Sequence, residues 1–260
     1  MEVFIDRVGE ENYNNFGSKM IINRYQGWGD IDVYFPEYNW TSKHKSYKEF
    51  KNGKIACLYE PRLYGHGYLG EGEYKTKQNG KHTKCYRTWN NMLYRCYSEE
   101  YKLAHETYID VKVCEEWLNF QVFSLWYEEN YYEIENENMQ LDKDILHKGN
   151  KIYSPNTCVF VPQRINKLFT KNNKIRNELP IGVHFNKRSG NYKTECSVYD
   201  NEKKIKRIKR LGCYNTPKEA FKVYKQFKEQ YIKQVADEYK DKIPKILYDA
   251  MYKYKVEITD

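Results

Sequence analysis

The sequence predicts an α+β chain built from several small modules. Three observations carry this. Short runs rich in β-branched and aromatic residues alternate with Gly, Asn and Pro turns near the N-terminus; apolar stripes at helical spacing fill the middle; and the C-terminal region reads as three strands followed by a capped helix. With 260 residues the chain is long enough for one large domain or two to three small ones. The expected division is a small β-rich module over 1–75, a helical plus ββα module over 80–170, and a three-stranded sheet packed on a helix, with further C-terminal helices, over 179–260.

Composition narrows the functional classes. Charged residues are 31% of the chain, and no stretch approaches the ~18 consecutive apolar residues of a spanning helix, so a membrane protein is not expected. The 27 tyrosines argue against a disordered polyelectrolyte. Lys and Arg number 44 against 36 Asp and Glu, and the resulting +8 favours an anionic partner. The first residues carry neither a basic segment nor a long apolar run, so no secretion signal is expected. The seven cysteines form no CxxC pair, which points away from a zinc knuckle or a disulfide framework and towards a reduced, cytosolic protein.

In the first module, Lys19–Tyr25 and 30–35 read as strands bounded by Gly-Trp-Gly and Pro-Glu-Tyr-Asn turns. Residues 47–55, with their Asn-Gly turn, would close a small barrel or curved sheet. The glycine-rich run 64–72 is a junction, since no GK[ST] follows it. In the second module Trp89, Met92, Leu93 and Cys96 share one helix face, and 114–130 repeats the pattern with Trp117, Leu118, Phe120, Phe123 and Trp126. Residues 139–145 then alternate as a strand, 149–155 as a loop, 158–161 as a second strand, and Pro162 opens a helix bearing Ile165, Asn166, Leu168 and Phe169. In the third module strands are expected at 181–185, 191–198 and 204–213. Thr216-Pro-Lys-Glu219 is a capping box for a helix that Pro244 ends, before a last short helix.

On a strand over 139–145, Leu141, Lys143 and Ile145 share one face, so Asp142 and Asp144 share the other. Two carboxylates with the amide of Asn166 could surround a hard cation such as magnesium; the bland alternative is a solvated strand face.

The run Arg87-Thr-Trp-Asn-Asn-Met-Leu-Tyr-Arg-Cys-Tyr97, then Val113-Cys-Glu-Glu-Trp-Leu-Asn-Phe120, Leu141-Asp-Lys-Asp-Ile145, Gly149-Asn150, Tyr153-Ser-Pro155, Cys158 and Phe160-Val161 resembles phage-type HNH endonucleases, including the homing-like enzymes of mobile introns. The similarity covers about 80–170 and implies a ββα-metal centre, with Asp142 and Asn166 holding magnesium or manganese. Where that family carries a histidine base after the acid this chain has Lys143, and where it carries a bracing asparagine it has Thr157. The expected catalytic set is therefore Asp142, with Asp144 or His147 as the base and Lys143 neutralising a phosphate.

Gly182-Val183, Tyr192, Leu211-Gly212, Tyr214-Asn-Thr-Pro-Lys-Glu-Ala220 and Tyr224 resemble the APETALA/ethylene-response-factor DNA-binding domain over about 180–232, with Tyr192 where that family has tryptophan. The resemblance implies a sheet face in the major groove, contacted by Lys187, Arg188 and Lys193, with Lys206, Arg207 and Arg210 as further donors. Independently, six of the eight residues 203–210 are basic, enough to neutralise several phosphates; the alternative is an edge strand charged against aggregation. Residues 9–17, 30–33 and 50–53 resemble a segment that precedes the HNH region in phage proteins, and it reads equally well as a second DNA grip or as a structural element.

These readings lead to a phage-encoded, metal-dependent endonuclease acting in the host cytoplasm, nicking double-stranded DNA as a monomer or cutting both strands as a homodimer. The rival is a catalytically silent DNA-binding regulator or phage counter-defence protein on the same fold. An RNA-binding role is third, since Tyr192 and Tyr199 alone do not make a stacking platform.

Overall fold

The computed structural model describes residues 5–170, 179–200 and 205–258. It is α+β, with helices and several small sheets. In chain order the elements of the first half are β1 (Glu11–Tyr13), β2 (Lys19–Tyr25), β3 (Ile31–Phe35), β4 (Trp40–Lys45), α1 (Tyr47–Lys51), β5 (Lys77–Gln78), β6 (Lys81–His82), α2 (Lys84–Tyr97), α3 (Glu99–Ala104), β7 (Lys112–Val113) and α4 (Phe120–Asn130). The second half adds β8 (Met139–Asp142), β9 (Ile152–Tyr153), β10 (Val159–Pro162), α5 (Gln163–Phe169), β11 (Val183–Asn186), β12 (Asn191–Asp200), β13 (Ile205–Tyr214), α6 (Pro217–Glu238) and α7 (Lys245–Lys253). No helix among the described residues is long and apolar enough to cross a membrane.

Two compact units emerge, the first comprising 1–131 with 151–156 and the second 132–150 with 157–260. The boundary falls inside the 80–170 segment, which places the helices α2 to α4 in one unit and the ββα element in the other.

In the first unit β1 to β4 form an antiparallel meander. Its alternation is clean: Ile31, Val33 and Phe35 are buried while Asp32 and Tyr34 face the other way. Residues 47–51 are a helix, not the strand expected there. Ser46 accepts a hydrogen bond from the Glu49 amide while the Glu49 carboxylate accepts from the Ser46 amide, and this reciprocal cap outweighs the β-like composition. Gly53 then turns the chain at φ +64°, so the Asn-Gly pair ends a helix instead of making a hairpin.

The stripe on α2 is core: Trp89, Met92, Leu93 and Cys96 are buried, and the Trp89 indole donates to the Trp117 carbonyl at 2.7 Å. The helix expected over 114–130 is broken. Glu115–Leu118 is a 3-10 turn, Asn119 is extended, and its side chain caps α4 by accepting from the Gln121 amide. Residues 152–153, expected in a loop, form β9 and pair in parallel with β7.

In the second unit β8 and β10 pair antiparallel and α5 follows directly. Strand β8 stops at Asp142, three residues earlier than expected, because Asp142 folds the chain into a turn. The three-stranded sheet β11-β12-β13 packs on α6, which is capped by Thr216 and Glu219 as the sequence indicates. That helix ends at Glu238, ahead of Pro244. One apolar cluster joins Ile145, Val159, Val161 and Ile165 of the ββα element to Ile232, Val235 and Leu247 of α6 and α7. The ββα element and the C-terminal sheet-and-helix region thus share a core.

Candidate metal and nucleic-acid site

The end of β8 organises the acidic centre. One carboxylate oxygen of Asp142 accepts from the amides of Asp144 at 2.8 Å and Ile145 at 2.7 Å. Burial pushes the Asp142 carboxyl above its ordinary range despite these two bonds. On the same side of β8, two residues earlier, Gln140 accepts from the Asn166 side-chain amide of α5 at 2.6 Å. Through Gln140, Asn166 thus lies towards the face of β8 that Asp142 shares by strand alternation. Their free oxygens are hard donors of the kind that suits a magnesium ion retaining several of its waters.

Asp144 does not share that strand face. With β8 ended at Asp142, Asp144 lies in the turn, half exposed, and ion-pairs with Lys143 at 2.7 Å. Lys143 points the opposite way from Asp142. It is 6% exposed, and its ammonium also donates to the Asn150 carbonyl at 2.9 Å, while the Asn150 amide donates back to the Lys143 carbonyl at 3.0 Å. This exchange clasps the loop 143–150. An ammonium held this way is a structural pin, and neither a base nor a phosphate donor at the Asp142 face. His147 is exposed in the clasped loop, its carbonyl accepting from the Asn150 amide at 3.0 Å. Thr157 lies beside Cys158 in the turn entering β10.

Sequence reasoning missed a second charged cluster, in the first unit. Arg24 on β2 donates to Asp30 at 2.7 Å and to both oxygens of Asp32 at 2.7 and 2.8 Å, and His44 Nδ1 lies 3.0 Å from Asp30. The Asp-x-Asp spacing was visible, but the arginine and histidine arrive only through sheet register and through a left-handed His44 at φ +55°. Hydrogen bonds from Arg24 hold the Asp32 carboxyl down at about 2. The guanidinium already neutralises the two carboxylates whose oxygens, with the histidine nitrogen, would otherwise be offered to a metal.

The sheet-borne donors sort by register. Across β12 and β13, Glu195 faces Arg210, Ser197 faces Ile208 and Tyr199 faces Lys206, whereas Cys196 faces Lys209 and Val198 faces Arg207. The second set is the helix side: Lys209 lies 5.1 Å over the Phe227 ring of α6, and Cys196 packs with Tyr224. Arg207 therefore does not join Lys206 and Arg210 on the outer face; it ion-pairs with Asp200 at 3.0 Å. Lys187 and Arg188 are exposed in the β11–β12 turn. Lys193 ion-pairs with Glu195, and Arg210, with 82% of its side chain exposed, lies 3.6 Å from the same carboxylate. Lys203 and Lys204 lie outside the described residues. Gly182, at φ +74°, brings the chain so close to Tyr224 that a Cβ there would sit 2.1 Å from the ring. No protein-family model matches the chain, and no curated protein or solved structure is significantly similar to it.

Proposed function

We propose that this chain is a phage-encoded DNA endonuclease that binds duplex DNA and nicks it in a metal-dependent reaction in the host cytoplasm. The observation that carries the reading is the common face of Asp142 and Asn166 on a β-hairpin followed by a helix. Those two residues would hold magnesium or manganese, and the bound cation would supply charge neutralisation at the scissile phosphate. The backbone amides of Asp144 and Ile145 orient the Asp142 carboxylate for that task. Exposed His147 is the remaining candidate for taking a proton from water, since Asp144 is engaged with Lys143. Lys187, Arg188, Lys206 and Arg210 would grip the duplex through its phosphates, as a monomer or a homodimer. The test is relaxation of supercoiled plasmid in magnesium or manganese.

One observation favours a second reading. The buried Lys143 stands where a base would be expected, which fits a DNA-binding protein, a regulator or a phage counter-defence factor, that no longer cleaves. Tight duplex binding without relaxation in either metal would select it.

A further inference from the structure

The first unit contains an open cavity of about 370 Å³ lined by Phe16, Ser18, Glu37, Tyr38, Glu60 and Arg62. Its floor is a buried polar network. Glu60, 5% exposed, accepts from Asn14 at 3.0 Å, from the Ser18 hydroxyl, and from Arg62 Nε at 2.6 Å. Asn14, also buried, accepts in turn from the amides of Phe16 at 3.0 Å and Ser18 at 2.9 Å, which fixes the β1–β2 turn. Burying a carboxylate costs free energy that its partners must offset, and here the partners hold two side chains at the cavity wall. The Arg62 guanidinium lies 4.2 Å over the Phe16 ring and donates through Nη2 to the Cys57 carbonyl at 2.8 Å. Among the described residues its Nη1 has no protein partner and remains a donor for a ligand. Phe16 is nonetheless 62% exposed, so its ring is backed on one face by a cation and open to solvent elsewhere.

We propose that this cavity takes an unpaired nucleobase, stacked on Phe16. The volume lies within the range of small-ligand sites and is ample for one base. A base edge carries both donors and acceptors, which matches a lining that includes Arg62, Tyr38 and Glu37. Glu37 and Glu60 disfavour phosphate inside the cavity. The choice of occupant rests on the DNA-binding reading above, whereas the cavity stands without it. A base displaced from the helix into this wall would add stacking that the paired duplex does not offer.

The test compares two otherwise identical duplexes, one fully paired and one with a single extrahelical 2-aminopurine, binding to the full chain. The expected result is at least about fivefold tighter binding of the extrahelical duplex, with quenched 2-aminopurine fluorescence. Phe16→Ala should lose both, Phe16→Tyr should keep both, and affinity for the paired duplex and the far-ultraviolet circular dichroism should be unchanged. Equal wild-type affinities for the two duplexes, or a preference that survives in Phe16→Ala, would overturn the proposal while leaving DNA binding intact. If neither duplex binds, the DNA-binding reading fails, and equilibrium dialysis against 2-aminopurine riboside decides the cavity separately. Uptake that Phe16→Ala abolishes would sustain it, and no uptake would overturn it.

Discussion

Lys143 Nζ lies 2.7 Å from Asp144 Oδ2, in a loop that the same ammonium also ties to the Asn150 carbonyl at 2.9 Å. The pair removes Lys143 and Asp144 from the Asp142 face and gives them a shared structural task. Lys143→Met should therefore loosen the loop 143–150, costing about 1–3 kcal/mol because the Asn150 carbonyl loses its charged donor. Urea unfolding would measure the cost. An unchanged midpoint would mean that the clasp contributes nothing.

Asp142 is held in the opposite tension. Burial raises its carboxyl pKa while two amides favour its charged form. A raised folded value means that the charged carboxylate opposes folding, and the penalty grows as pH rises through that value. Asp142→Asn keeps an acceptor for both amides and removes the charge. It should leave stability at pH 7 equal or higher by up to about 1 kcal/mol, while abolishing metal-dependent nicking. Thermal melts beside the nicking assay would test this split between stability and activity.

The Arg24–Asp32 contact makes an acid-side prediction. The folded Asp32 carboxyl titrates near about 2, below the free carboxylate, so its stabilising contribution is complete above about pH 4 and is lost as pH falls through 2. Solvent around the pair holds the contribution to about 1 kcal/mol. Arg24→Met should be less stable than the wild type at pH 5, with the gap closing by pH 2. Urea midpoints at those two pH values would show it, and a pH-independent gap would contradict it.

The register of β12 and β13 separates Lys206 and Arg210, the proposed phosphate contacts, from Arg207. Lys206→Ala and Arg210→Ala together should lower duplex affinity for every sequence and reduce the slope of log K against log salt by about 1 for each phosphate that is no longer neutralised. Arg207→Ala, which removes an ion pair with Asp200 on the helix side, should leave that slope unchanged. Titrations at several salt concentrations would distinguish the two.

Local patterns carried much of the fold into the sequence. The α2 stripe, the alternating β3 and the Thr216 capping box are each written within a few neighbouring residues, and each forms as expected. What sequence reasoning missed depends on side chains that redirect the backbone. Ser46 and Glu49 turn a β-like run into α1, Asn119 interrupts a continuous apolar stripe, and Asp142 ends β8 by accepting from the two amides that follow. The site was legible to the same degree. Gln140 and Asp142 share a face because strand periodicity is local, and the same alternation turns Arg207 away from Lys206 and Arg210, which grouping the basic residues by sequence alone overlooked, whereas the burial of Lys143 depends on a loop clasp. The Arg24 cluster was invisible because sheet register, not sequence spacing, assembles it.

The proposed function stands on metal-dependent scission at the Asp142 face. The decisive measurement is relaxation of supercoiled plasmid in magnesium and in manganese by the wild type and by Asp142→Ala, with duplex binding measured on both proteins. The expected result is relaxed product from the wild type, none from Asp142→Ala, and similar binding by the two. Relaxation that persists in Asp142→Ala would place the chemistry elsewhere, and tight binding without relaxation in either metal would contradict the nuclease.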